Sequence, residues 1–304
     1  MGFQNAGHAV CAAFDNWKPA VDIYRKNFLN HPIFECDLGD KDIDMSLLTC
    51  YEPELVIGGP PCQDFSSAGK RDESLGRANL TVCFAGIVKA AAPKWFVMEN
   101  VERASGSRAL AKARKMLKES GYGITEIILE ASYCGVPQRR KRLFLIGEHH
   151  GLEKGVLPYL VKNQSSKPMT VRDYFGDKLG IEHYYRHPRS YQRRGVFSID
   201  EPSPTIRGVN RPIPATYRSH PGDTYKVTSK LRPLTTKERS LIQTFPEDFI
   251  FEGTKADLEQ MIGNAVPVKL AEYVADCINE YIENGPIEEP PTRHVKETAQ
   301  LSFF

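Results

Sequence analysis

The chain has 304 residues, enough to bury a large core, and its expected organisation is one large domain with a smaller lobe. Forty basic residues against 38 acidic ones leave the overall charge near zero, so composition alone carries no nucleic-acid signature. Seven cysteines without metal-ligand spacing argue against a disulfide framework or a metal site. No apolar run approaches the ~20 residues of a membrane-spanning helix, and the start does not read as a secretory signal, so a soluble, cytoplasmic protein is expected.

The first half alternates short apolar runs with helical patterns, which predicts a parallel sheet with crossover helices, an α/β doubly wound domain. His8–Phe14 reads as a strand, Lys18–Asn27 as a helix and Ile33–Cys36 as a short strand. Leu55–Ile57 reads as a buried strand, Leu80–Ala92 as a helix and Trp95–Met98 as a strand. Ala109–Ser120 reads as a helix stopped by Gly121, and Ile124–Leu129 and Leu143–Ile146 as further strands. These elements define a catalytic and cofactor-binding domain over residues 1–150.

After Gly147 the character changes. Between Ile181 and Pro233 stand ten Arg or Lys residues against four acids, interleaved with five tyrosines and seven prolines. Such a run can be a solvated charged face, but basic-plus-aromatic composition is also what a phosphate- and base-contacting surface needs. Residues 151–231 are therefore expected to form a smaller basic lobe of loops and short strands. Thr236–Thr244 and Pro267–Ile282 read as helices that return to the first domain over 232–284, and the proline-containing tail over 285–304 is expected to be disordered.

The chemistry centres on Gly59-Pro60-Pro61-Cys62-Gln63, which comes directly after the apolar run Leu55-Val56-Ile57 and Gly58. Two prolines fix φ and supply no N–H, so Cys62 is presented on a stiff turn at a strand's carboxyl end, where open α/β sheets hold their ligands. A lone cysteine is more often a buried small hydrophobe, and the case for a nucleophile rests on three further motifs in a set order. Glu99-Asn100-Val101 ends a second strand. Gln138-Arg139-Arg140-Lys141-Arg142 precedes another, and alternation along an extended segment puts Arg140 and Arg142 on one face and Arg139 and Lys141 on the other. Gly263-Asn264-Ala265-Val266-Pro267 precedes the last helix.

That series resembles the C5-cytosine-specific DNA methyltransferases of bacterial restriction–modification systems. The resemblance implies a Rossmann-like S-adenosylmethionine-dependent domain with a target-recognition lobe. It implies Cys62 as the nucleophile, Glu99 stabilising a proton at N3 of the base, and Arg140 and Arg142 at the cytosine carbonyl and Glu99. Asp15 closes the first strand, where a carboxylate commonly accepts ribose hydroxyls, although capping the next helix is an equal local explanation. The resemblance adds Asn16, Asp37, Leu38, Pro60, Leu80, Asn264 and Val266 to the donor site, with Asn16 standing where relatives often carry a large aromatic. In the lobe, Pro204-Thr205-Ile206 looks like the family's signature for entry into the major groove, with Arg207 and Arg211 beside it.

The implied partner is double-stranded DNA, with a cognate restriction endonuclease acting on the same sequence, and the implied protein is a monomer near the nucleoid. One departure stands out. Relatives begin with a strand and a glycine-rich turn, whereas here Met1 is followed at once by Gly2-Phe3-Gln4-Asn5-Ala6-Gly7. The expectation is therefore an incomplete donor site, through a mis-assigned start, a truncation or a piece supplied by another polypeptide. A tRNA cytosine-5 methyltransferase and a non-catalytic DNA-binding remnant remain as alternatives.

Overall fold

The computed structural model describes residues 1–40, 45–61, 79–190 and 192–287. The chain opens with a short helix, α1 (Gly2–Asn5), and then forms β1 (Ala13–Asp15), α2 (Lys18–Asn27) and β2 (Ile33–Glu35). In α2, Pro19 sits in the first turn, where its missing N–H costs nothing, and Arg25 and Lys26 sit in the last turn, against the negative end of the helix dipole. Val21 and Ile23 are its buried face. β1 and β2 pair in parallel with each other as a separate two-stranded unit. The strand expected over His8–Phe14 is thus confined to Ala13–Asp15, because β2 offers a partner only from Ile33 to Glu35.

Next come α3 (Ser46–Thr49), β3 (Leu55–Gly58), α4 (Asn79–Ala91), β4 (Trp95–Val101) and α5 (Arg108–Glu119). Then come β5 (Tyr122–Glu130), β6 (Gln138–Arg139) and β7 (Lys141–His149). The main sheet has the order β3-β4-β7-β5. β3 and β4 run parallel, but β7 is antiparallel to both of its neighbours, which corrects the expectation of a purely parallel sheet. A parallel crossover needs a dozen or more residues and usually a helix. The chain between β5 and β7 offers only a short 3₁₀ turn, Ala131–Tyr133, and β6.

β4 is the centre of the molecule. Trp95 and Val97 point into one core with Phe144, Ile146, Tyr159, Leu270, Val274 and Ile278. Phe96 and Met98 point into the other, with Phe84 and Val88 of α4 and Leu110, Ala113 and Leu117 of α5. Period-two alternation with apolar residues on both faces is what a sheet covered on two sides requires.

The lobe contains α6 (Leu157–Lys162), α7 (Val171–Phe175), β8 (His183–Tyr185), β9 (Val196–Ser198) and β10 (Ser203–Pro204). Tyr184, Phe197, Ile199 and Ile206 form its core with Leu234, Ile242 and Ile262. Val156, Tyr159 and Leu160 pack instead with the catalytic core, so the lobe shares residues with its neighbour on both sides. Three helices complete the described residues: α8 (Thr236–Ile242), α9 (Lys255–Asn264) and α10 (Val268–Asn284). α9 was not anticipated. Its start is marked by Thr254, whose hydroxyl accepts the Asp257 N–H at 3.2 Å. α1 packs against α10 so closely that a Cβ on Gly2 would lie 2.6 Å from Ala271 Cβ. Asn5 donates to Glu272 at 2.8 Å, and Asn279 donates to the Ala6 carbonyl at 2.9 Å. No helix among the described residues is long and apolar enough to cross a membrane, and no metal-ligating cluster occurs among them.

Candidate active site

The parallel pairing of β3 with β4 brings Gly59-Pro60-Pro61 beside Glu99, since Gly58 is in register with Met98. A Cβ on Gly59 would lie 3.1 Å from Glu99 Oε2, so the turn passes directly over the carboxylate. Asn100, 2% exposed, holds the Val101 N–H at 2.9 Å through Oδ1 and brings Nδ2 to 3.5 Å from the Pro60 carbonyl oxygen. Cys62 lies outside the described residues.

The antiparallel pairing of β4 with β7 supplies the second part. Val101 is in register with Arg142, and the Arg142 Nε donates to Glu99 Oε1 at 2.6 Å. Burial pushes the Glu99 pKa above its ordinary value, and the nearby Arg142 and Arg140 guanidinium groups pull it only part of the way back. A glutamate held in this way keeps more of its protonated form near neutrality, as a proton donor to a ring nitrogen requires.

Arg140 is placed differently from expectation. The chain leaves β6, which pairs with β10, and enters β7 at this residue, so Arg140 and Arg142 do not share one continuous strand. Arg140 is fully buried. Its Nη1 donates to the Ile206 carbonyl at 3.0 Å, and its Nη2 to the carbonyls of Gly263 and Ala265 at 2.9 and 3.0 Å. It ties the lobe to the strip before α10, and its charge also acts on Glu99. Gly263 makes this approach possible: a Cβ there would stand 2.2 Å from the Gly208 nitrogen. Beside it, Gln243 joins the same seam, accepting from Gln138 Nε2 at 2.8 Å and donating to the Ala265 carbonyl at 3.1 Å. Gln243 opens Gln243-Thr244-Phe245-Pro246, a run that resembles the scaffold element packing a recognition lobe against the catalytic domain, although its individual partners are distant in the chain.

The residues expected at the donor site fall into separate groups. Asp15 and Glu35 are in register at the ends of β1 and β2, and Asp15 Oδ1 accepts the Trp17 N–H at 2.8 Å. This is a local turn rather than a cap, because α2 has no side-chain cap at its start. Asn16 is exposed next to it. Asp37 Oδ1 accepts the Gly39 N–H at 2.8 Å, and Leu80 packs over Gly39, where a Cβ would lie 2.5 Å from Leu80 Cδ2. Asp37, Leu38 and Leu80 thus come together. Asn264 is exposed at the end of α9, bonded to Gln260 at 3.0 Å, while Val266 packs against the catalytic core.

On the lobe side, the Thr205 hydroxyl donates to the Arg139 carbonyl at 2.7 Å. Ile206 is 5% exposed in the lobe core, and its N–H donates to Gln138 Oε1 at 2.9 Å, so its side chain supports the loop and does not present a surface to DNA. Arg207 is half-buried, and Arg211 is exposed.

The model of the C-5 cytosine-specific DNA methylase family matches residues 1–280. The chain belongs to that family. The methylase is 57% identical over 289 residues to Type II methyltransferase M.HgiDI of Herpetosiphon aurantiacus, covering 95% of this chain and 93% of the relative. It is equally identical over 288 residues to M.HindV of Haemophilus influenzae, with 94% of each chain covered. Among solved structures, S. pombe Dnmt2 methyltransferase matches with a TM-score of 0.66 at 18% identity, covering 93% of this chain and 95% of that one. An Entamoeba histolytica methyltransferase, EhMeth, matches with a TM-score of 0.62 at 18% identity, covering 92% and 95%. The methylase thus shares its fold with proteins whose sequences have diverged widely, and the expected Rossmann-like methyltransferase architecture holds.

Proposed function

We propose that this DNA methylase transfers a methyl group to carbon 5 of cytosine in a specific duplex sequence, with Cys62 as the nucleophile and the target base flipped out of the helix. The observation that carries the reading is the Arg142–Glu99 pair at 2.6 Å, set against the Gly59-Pro60-Pro61 turn that leads into Cys62.

Carbon 5 of cytosine is a weak nucleophile because the ring is aromatic. In the proposed reaction the Cys62 thiolate forms a bond to carbon 6, the electrons of the 5,6 double bond move towards carbon 5, and Glu99 holds a proton at N3 to accept the developing charge. Arg142 orients Glu99 and offers its remaining N–H groups to the base carbonyl. S-adenosylmethionine, when bound, supplies an electrophilic methyl group to carbon 5. Loss of the carbon-5 proton to a base and cleavage of the sulfur–carbon bond then restore the ring and the thiolate. The target must leave the stacked duplex for a side chain to reach it.

The donor set fits the adenosine part of that group. Asp15 and Asp37 are exposed carboxylates at the carboxyl ends of neighbouring strands, and each has one oxygen without a hydrogen-bond partner among the described residues. Such oxygens suit ribose hydroxyls and an adenine amino group, with Leu80 as an apolar wall. The names of the Type II relatives favour a restriction–modification setting, with an endonuclease of the same specificity and a cytoplasmic site of action.

The test is Cys62→Ser, assayed by tritium transfer to duplex DNA and by trapping on duplex containing 5-fluorocytosine. Wild type should form a covalent adduct, because fluorine cannot leave as a proton does. The serine variant should bind DNA, transfer no methyl and form no adduct, since its hydroxyl is scarcely ionised at neutral pH. Near-normal turnover in Cys62→Ser, or an adduct on another cysteine, would remove the assignment.

A further inference from the structure

Beyond the active site, the lobe contains a cavity of about 450 Å³ bounded by Arg186, Arg189, Arg193, Arg194 and Arg207, with Phe197 and Thr205 completing its wall. A second cavity of about 240 Å³ shares Arg186, Arg193, Arg194 and Thr205 and adds Arg139. Six guanidinium groups therefore line two joined hollows in a chain whose overall charge is near zero.

Two of these charges, Arg186 and Arg207, have no ionic partner among the described residues. Arg194 pairs with Glu201 and lies over the Phe197 ring at 4.3 Å, which uses the nearby carboxylate. Among the described residues, Arg186 and Arg207 donate side-chain hydrogen bonds to backbone carbonyls: Arg186 to Thr205 at 3.0 Å and Arg207 to His187 at 2.6 Å. The buried Nε of Arg207 has no hydrogen-bond partner among the described residues. A buried donor left unmade costs free energy, and so does each cation held beside another. Burial, with repulsion from Arg207 and Arg189, lowers the Arg186 pKa to about 9. Burial, with Arg189, Arg239, Arg193 and Arg211, lowers that of Arg207 to about 10.

We infer that these joined cavities are a phosphodiester clamp, in which Arg186, Arg193 and Arg207 hold a backbone phosphate of the DNA and Arg139 contacts the adjoining one. The inference rests on the methylase reading for its ligand and goes beyond it by assigning these arginines to backbone positioning and not to base reading. Three features favour phosphate over a base edge. The cavity wall offers converging charged donors, and guanidinium groups match phosphate oxygens in pairs. Among the described residues the wall includes no carboxylate, and Glu201 beside it is already held by Arg194, so it lacks the acidic acceptor that suits an exocyclic amino group. The Thr205 hydroxyl is turned to the Arg139 carbonyl, which fixes the joint between the two hollows. The clamp also gives Arg139 a task that its neighbour Arg140, buried and bound to carbonyls, does not share.

The experiment uses the full chain with Arg193→Gln and Arg139→Gln, both at exposed positions where folding is not at stake. Duplex affinity is measured against salt for a cognate and an unrelated sequence. Each variant should weaken both complexes by a similar factor, roughly three- to tenfold, and reduce the slope of log K against log salt by about one. Scanning the cognate duplex with single methylphosphonates should reveal one position that weakens wild type but adds nothing to Arg193→Gln. An unchanged salt slope, or a loss confined to the cognate sequence, would overturn the clamp and make the cavity inert or base-reading. Wild type that neither binds duplex nor transfers methyl would sink the methylase reading itself, an outcome distinct from the first two.

Discussion

Arg140→Met preserves most of the side-chain volume and deletes the guanidinium that four carbonyls share. Those of Ile206, Gly263 and Ala265 each accept from it within 3.0 Å, in a site with no solvent access. A stranded buried acceptor costs ~1–3 kcal/mol, and removing one side of a buried charged arrangement costs ~3–5 kcal/mol, so the expected loss is about 3–5 kcal/mol. At roughly 2 °C per kcal/mol for a chain of this size, Tm should fall by about 6–10 °C. Arg142→Met should behave in the opposite way. Its side chain is 14% exposed and its acid partner is Glu99, so turnover should fall at least tenfold, about 1.4 kcal/mol of transition-state stabilisation, with a smaller change in Tm. Calorimetric melting and tritium transfer at saturating donor and DNA separate the two effects. If Arg140→Met melts with wild type and loses only turnover, Arg140 belongs to the chemistry and the description of it as a tie between the lobe and the strip is wrong.

Glu99→Gln keeps the shape and the hydrogen-bonding but cannot give up a proton, and should lower turnover by roughly 10²-fold or more. Because the wild-type Glu99 pKa is raised, mainly by burial, activity that needs its protonated form should decline as pH climbs through that raised value. Arg142→Met removes the larger opposing pull and should move this limb to higher pH. The same shift predicts a stability term present below the ordinary carboxylate range and lost as pH rises through the raised pKa; Glu99→Gln should abolish it in melts taken across that window. Away from the chemistry, Arg239 and Glu259 form an ion pair at 2.8 Å, 5% and 4% exposed. Glu259→Gln leaves Arg239 buried without its counter-charge and should cost ~3–5 kcal/mol in denaturant unfolding, whereas a loss under ~1 kcal/mol would show that the site admits water.

Much of this was legible in the chain. The α2 boundaries come from Pro19 in the first turn and the basic last turn, and β3, β4 and β5 from apolar runs between turn signals. The meeting of Glu99 with Arg142 was implied by the family resemblance, with alternation placing Arg142 on one face of its strand. Alternation failed at Arg140 for a tertiary reason: the chain changes sheets there, and a period of two holds only while one ladder continues. The reversed direction of β7 could have been read from the missing helix after β5, and α9 from Thr254 with Asp257 three residues later. Five of the six cavity arginines lie in the basic run that composition marks, but the addition of Arg139 could not be read, because the pairing of β6 with β10 brings it beside Pro204 from 65 residues away.

The contact of α1 with α10 sets an order of events during folding. Gly2–Asn5 find their packing partner in Val268–Asn284, more than 260 residues along the chain. Their hydrogen bonds span 267 and 273 residues of chain, and those of Arg140 to the strip before α10 span 123 and 125. Contacts of such separation close after local ones, since loop entropy must be overcome first. Until α10 docks, Phe3 lacks its apolar partner and Arg140 the carbonyls that it holds. Docking of α10 completes the apolar core and the seam between lobe and catalytic sheet in one late folding step, so competence waits on that single long-range contact.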